Sequence, residues 1–103
     1  MAQAFAAAVD ADPAWERLAP VAFSTVCFRW VGDGTLDAES LDQRNTAIMD
    51  TVNRAGEVFL SHTRLDGRFT IRLAIGNLRT EEAHVARAWE LLRAAAAAGA
   101  AAR

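Results

Sequence analysis

Apolar positions along the chain switch repeatedly between helical and strand spacing. Ala2–Val9 is alanine-rich, with Phe5 and Val9 one helical turn apart, and Asp10, Asp12 and Pro13 end the helix that this spacing predicts. Trp15–Leu18 is short enough to be strand or turn, and Pro20 punctuates the chain after it. Val21–Val31 reads VAFSTVCFRWV, a β-branched and aromatic run that predicts a strand. Val21 and Phe23 share one face of it, while Val26, Phe28 and Trp30 share the other. The phase change near Ser24 predicts a bulge, or a strand covered on both faces. Gly32-Asp33-Gly34 follows as a turn.

Asp37 suits an N-cap, Glu39 complements the first-turn dipole, and Gly56 suits a C-terminal stop, so a helix is predicted over Ala38–Ala55. Leu41, Ile48, Val52 and Ala55 form its apolar stripe. Val58–Arg64 reads as a strand, Asp66-Gly67 as a two-residue hairpin turn, and Arg68–Ile75 as the strand that returns. In that last strand Phe69, Ile71, Leu73 and Ile75 face one way, and Arg68, Thr70, Arg72 and Ala74 the other. Thr80 caps a final helix with Glu81 and Glu82 in its first turn and Val85, Trp89 and Leu92 as its buried stripe. Three helices with one apolar face each can all be buried on one sheet. The expected fold is therefore α+β, a two-layer sandwich with a mainly antiparallel sheet of three to four strands and helices packed on one face. Residues 1–103 form a single domain, in which the alanine-rich stretch 94–103 is expected to fray.

Charge and composition narrow the function classes. The net charge is -2, which gives no basic footprint for nucleic acid. No run of about 18 apolar residues is present to span a membrane, and Met1–Val9 lacks the basic region of a signal peptide. Cys27 is the single cysteine, which suits a reducing, cytoplasmic setting. All 11 basic residues are arginine and none is lysine. Arginine stays protonated and forms no Schiff base, so chemistry that needs a side-chain amine is outside this chain's means.

Few residues invite a chemical role. His84 has Thr80 and Ala88 at helical spacing, so no histidine pair for a metal exists there. Cys27 lies mid-strand with no helix N-terminus to activate it. Gly32-Asp33-Gly34 lacks the third glycine of a dinucleotide fingerprint and the lysine of a P-loop. Asp10 with Asp12, and Glu81 with Glu82, sit where helix ends explain them, and the three Trp read as core or interface anchors. His62 and Arg72 are the candidate domain-interface residues. A mid-strand arginine wants a partner, either an acidic neighbour within the domain or a carboxylate on another domain. No catalytic, cofactor-binding or metal-ligating residue is assigned.

An ordered series of short segments carries a resemblance. Val26-Cys27-Phe28-Arg29, then Leu41, Arg44 and Asn45, then Ser61-His62-Thr63 and Gly67 occur in sequence. Ile71-Arg72-Leu73-Ala74-Ile75-Gly76 and Thr80-Glu81-Glu82-Ala83-His84-Val85 through Ala88-Trp89 follow, and Val9-Asp10-Ala11-Asp12-Pro13 with Leu18-Ala19-Pro20 precedes them all. Over roughly residues 5–93 the series resembles the C-terminal small domain of pyridoxal-phosphate-dependent aromatic-L-amino-acid decarboxylases. The resemblance implies a fold-type-I parent enzyme, usually a homodimer, that decarboxylates aromatic L-amino acids or related substrates such as histidine or glutamate. It places the cofactor lysine, the histidine stacked on the cofactor and the aspartate on its ring nitrogen in a large domain with no counterpart here. What it implies for this chain is a lid-like small domain that packs on the large one and is not catalytic alone. The alternative is a free-standing α+β interaction module, derived from that domain, that binds another protein or itself.

Overall fold

A computed structural model of the chain describes residues 2–19, 25–56, 58, 60–74 and 82–101. Its elements are α1 (Ala2–Ala11), β1 (Trp15–Arg17), β2 (Thr25–Trp30), α2 (Ala38–Ala55), β3 (Ser61–Leu65), β4 (Arg68–Ala74) and α3 (Glu82–Ala101). The four strands form one antiparallel sheet in the order β1-β2-β4-β3, with the helices packed on one face. This is the expected α+β two-layer sandwich. Paired residues share a face, so the register Trp15↔Trp30, Phe28↔Ile71 and Val26↔Leu73 gathers the apolar side chains beneath the helices. Phe5 and Val9 of α1, Ile48, Met49 and Val52 of α2, and Val85 and Leu92 of α3 close the core over them.

Helix α2 begins and ends where local chemistry sets it. Asp37 accepts from the Ser40 N–H at 2.8 Å, and the Gly56 N–H returns to the Asn53 carbonyl at 3.1 Å. Hydrogen bonds from Ser40, side chain first and main chain second, hold the Asp37 carboxyl below its ordinary value. In the connection ahead of α2, the Thr35 hydroxyl and N–H likewise lower Asp33. The β3–β4 hairpin turns at Asp66 and Gly67, with φ of 52° and 76°. Positive φ at both central residues is what a right-twisted two-residue turn requires.

Three polar side chains on α2 tie it to backbone that the sheet leaves unpaired. Continuing the β2–β4 register past Phe28↔Ile71 would set Trp30 opposite Phe69. Instead Asn45 takes both Trp30 groups, accepting from its N–H at 2.7 Å and donating to its carbonyl at 3.0 Å. Asp42 accepts from the Phe69 N–H at 3.0 Å. Asn53 accepts from the Leu60 N–H at 2.7 Å and donates to its carbonyl at 3.0 Å. β3 starts at Ser61 and not at the expected Val58.

Other boundaries differ by small amounts. Trp15–Arg17 is a strand, not a turn, and α1 continues to Ala11. On α2 the expected stripe holds at Leu41, Ile48 and Val52, but Ala55 is exposed, and Asn45 and Met49 take its place inside. The alanine run after Arg93 lies within α3 as far as Ala101, and Ala96 is buried there against the core. Val21, Phe23 and the phase change at Ser24 fall outside the described residues, as do Ile75, the Thr80 cap, Glu81, and residues 102 and 103.

Gly32 makes a close approach that fixes its identity. It lies at φ +62°, and a Cβ placed there would come within 2.8 Å of the Trp30 ring. Gly32→Ala should therefore lower the urea midpoint of the chain, because both backbone and ring would have to move. Gly34→Ala, which has open space around it at a similarly positive φ, should cost less. Equal losses for the two variants would refute the role given to the Trp30 contact.

Candidate functional site

Alternation along the strands places a second set of residues on the sheet face away from the helices. Glu16 pairs with Arg29 across β1 and β2, Cys27 with Arg72 across β2 and β4, and Thr63 with Thr70 across β4 and β3. None of the described helices covers this face. The result is an unusual surface for the middle of a sheet: three arginines, Arg29, Arg68 and Arg72, share it with one carboxylate, Glu16, which contacts the first two.

Glu16 is shared. One oxygen lies 3.6 Å from Arg29 Nη2 and the other 3.4 Å from Arg68 Nη1, so both contacts are long for charge-assisted bonds. Arg68 also reaches Asp66 at the hairpin, at 3.4 Å. The Arg29 side chain is only 10% exposed, and its Nε has no hydrogen-bond partner among the described residues. Thr70 is fully buried although it belongs to this face, and its hydroxyl donates to the Arg68 carbonyl at 3.0 Å. Arg72 is exposed and has no ion pair or hydrogen bond among the described residues. Of the two readings of Arg72, an acidic partner within the domain does not occur among them.

The structure separates the two candidate interface residues. Arg72 lies opposite Ser61, whereas His62 lies opposite Ile71. One register step puts them on opposite faces. His62 is exposed on the helix side of the edge strand, its ring stacked on Phe69 at 4.8 Å and 16°. Beside it Arg64 pairs with Asp42 at 3.1 Å. Cys27 is half-buried on the face that holds Arg72. The side chain of His84 is outside what the structure describes. No cluster of three or more His, Cys, Asp and Glu suited to a metal occurs among the described residues. No helix is long and apolar enough to cross a membrane, again among the described residues.

Sequence reasoning missed Glu16 and Arg29 as members of this face. Glu16 sits in a three-residue strand too short to show a period, and Arg29 is embedded in an apolar run. The signal that could have found them is alternation itself: Glu16 stands between Trp15 and Arg17, and Arg29 between Phe28 and Trp30.

No protein-family model matches the chain. The chain is similar to tryptophan decarboxylase 2 of Oryza sativa subsp. japonica, with 45% identity over 93 residues, covering 90% of this chain and 18% of that protein. It is similar to tyrosine decarboxylase 2 of Arabidopsis thaliana, with 39% identity over 94 residues, covering 90% of this chain and 17% of that protein. Among solved structures, Oryza sativa TDC with PLP and tryptamine superposes with a TM-score of 0.87 at 34% identity, over 93% of this chain and 21% of that one. The chain thus spans about a fifth of the length of the relatives it matches.

Proposed function

We propose that this chain, the counterpart of the C-terminal part of pyridoxal-phosphate-dependent amino-acid decarboxylases, works only when joined to a large catalytic domain on the same or a companion polypeptide. The likeness over nine-tenths of the chain carries the reading, and the sheet face that none of the described helices covers supplies a surface for the contact. The chain itself does not fit the cofactor. Pyridoxal phosphate is held in such enzymes through a lysine amine, and these 103 residues contain no lysine. The cofactor and the decarboxylation therefore belong to the large domain, and relatives named for tryptophan and tyrosine favour an aromatic L-amino acid as the parent's substrate. What this chain contributes is a rigid plate that covers part of the large domain. The single cysteine fits a cytoplasmic setting for the whole.

Two measurements test the reading together. The native polypeptide, captured from its source cells with an antibody to this segment, should have a mass several-fold above the 11.1 kDa of the chain or co-purify with a pyridoxal-phosphate-binding companion. The pure 103-residue chain should bind no stoichiometric pyridoxal phosphate. A native mass near 11.1 kDa with no such companion, or specific cofactor binding by the pure chain, would overturn it. The first of those results would support the second reading, a free-standing interaction module that uses the same sheet face to bind another protein or a second copy of itself.

A further inference from the structure

We infer that the arginine cluster of the open sheet face is a docking site for a carboxylate of the catalytic domain, an Asp or Glu side chain seated among Arg29, Arg68 and Arg72. The inference rests on the decarboxylase reading above and adds to it the chemistry of the contact. Three observations carry it.

The first is the charge count. Of the described residues on the face, three are cationic and only Glu16 is anionic, with Asp66 touching Arg68 from the turn. A surface of that sign selects a negative counterpart. The second is an unmet demand. Arg29 is nine-tenths buried, and among the described residues its carboxylate contact is 3.6 Å long and its Nε lacks an acceptor. A buried guanidinium in that condition is costly unless a further acceptor completes it. Glu16 cannot supply it alone, because its two oxygens are already divided between Arg29 and Arg68. A second carboxylate would take over Arg68 and free Glu16 to close on Arg29. The third is Arg72, opposite Cys27 at the centre of the sheet, exposed and without a partner among the described residues. Its planar fork of donors matches a carboxylate in two-point contact. No other described part of the molecule shows a comparable demand. The hollow lined by Ala4, Phe5, Ala8, Val85 and Trp89 between α1 and α3 is apolar, and nothing there specifies an occupant.

Cys27 provides the test, because the one thiol of the chain lies within this face. In the native full-length protein, the alkylation rate at Cys27 is read by peptide mass spectrometry and divided by the rate for the same variant unfolded in urea. This ratio corrects for the intrinsic reactivity of each variant's peptide. A carboxylate placed opposite the thiol would by itself slow alkylation, so a rise in the ratio reports uncovering of the face. Cys27 should be strongly protected in the unmodified protein. Arg72→Glu and Arg68→Glu should each raise its relative rate by about tenfold or more, as expected when a carboxylate meets a like charge. Arg72→Gln should raise it less. Arg54→Glu, at the exposed end of α2, should leave it unchanged. Arg72 has no described partner to lose, so its variants should keep the fold of this domain. Protection of Cys27 that survives both charge reversals would overturn the carboxylate site while leaving the decarboxylase reading intact, since the face would be covered by other means. A Cys27 that reacts as fast in the full-length protein as half-burial alone allows would overturn the site by showing the face bare. The decarboxylase reading itself fails separately, on native mass and cofactor binding.

Discussion

Replacing Asn45 with alanine will cost the chain about 2–5 kcal/mol, seen as a drop in the unfolding free energy from urea titration. Asn45 is fully buried and meets three backbone groups: the Trp30 N–H, the Trp30 carbonyl and the Leu41 carbonyl. Leu41 keeps its helical acceptor role without the side chain. The two Trp30 groups do not, since the β2–β4 ladder has already ended at Phe28↔Ile71. Each buried backbone group left unpaired costs about 1–3 kcal/mol. The helix gains at most about 0.7 kcal/mol from alanine's better propensity, so the loss dominates. A domain of this size has only about 5–15 kcal/mol in total, so a visible unfolded fraction is expected. Asn45→Asp separates hydrogen bonding from packing. It keeps an acceptor for the Trp30 N–H but offers its carbonyl no donor while ionised, and burial disfavours the charge. Its folded pKa would lie above the unfolded value, so the variant should be more stable near pH 4 than near pH 7. Asn45→Ala should show no such added pH dependence. A loss below about 1 kcal/mol for the alanine variant would mean that water or a shifted strand satisfies Trp30.

The contrast between what could and could not be read in advance follows from the range of each signal. Helix α2 was legible from Asp37 to Gly56 because caps and periodicity are local. The Asp66-Gly67 hairpin was legible for the same reason. Asn45 was visible in the sequence as part of a resemblance, but its role was not, because it depends on two strands parting over a helix. Sheet order was not legible either: β2 pairs with β4, across a helix and another strand. The interface candidates show the consequence. Arg72 and His62 both look like polar residues in strands, and only the register 62↔71 reveals that they face opposite ways. The arginine face suffered similarly. Arg68 and Arg72 stood out in the cleanest strand, whereas Arg29 and Glu16 joined them only once β1 and β2 were paired.

The two faces of the sheet also divide the work. Beneath the helices most buried side chains are apolar, and Asn45, Asp42 and Asn53 are hydrogen-bonded to strand backbone. On the other side, among the described residues, the Nε of a buried arginine lacks an acceptor and an exposed arginine lacks a partner. A free-standing domain gains nothing from that asymmetry, since burying an incompletely paired cation opposes folding. A domain that meets a second surface gains a specific contact from it. The helix side must then be rigid enough to hold the strands flat for docking, which makes its packing testable on its own terms.

The packing is concentrated in an aromatic cluster, and Phe28→Ala should remove about 3–5 kcal/mol. Phe28 is fully buried on β2. Its ring lies 5.2 Å from Phe5 of α1 and 5.9 Å from Trp15 of β1, while Trp89 of α3 lies 5.7 Å from Phe5 and 5.3 Å from Trp15. Four rings from four elements thus close on one another at tilted angles, the arrangement in which ring pairs add to plain burial. Removing Phe28 opens a cavity under α1 and breaks two of the four contacts. Trp89→Ala should cost less than its larger size suggests, because Trp89 is only partly buried. Both variants should weaken near-ultraviolet circular dichroism, which reports fixed tryptophan packing, while far-ultraviolet helicity persists under conditions where the chain remains folded. Phe28→Leu should recover most of the stability, because it refills most of the volume. A Phe28→Ala loss under about 1 kcal/mol would show the cluster to be loosely packed, and the helix layer could then not be what holds the arginine face in register.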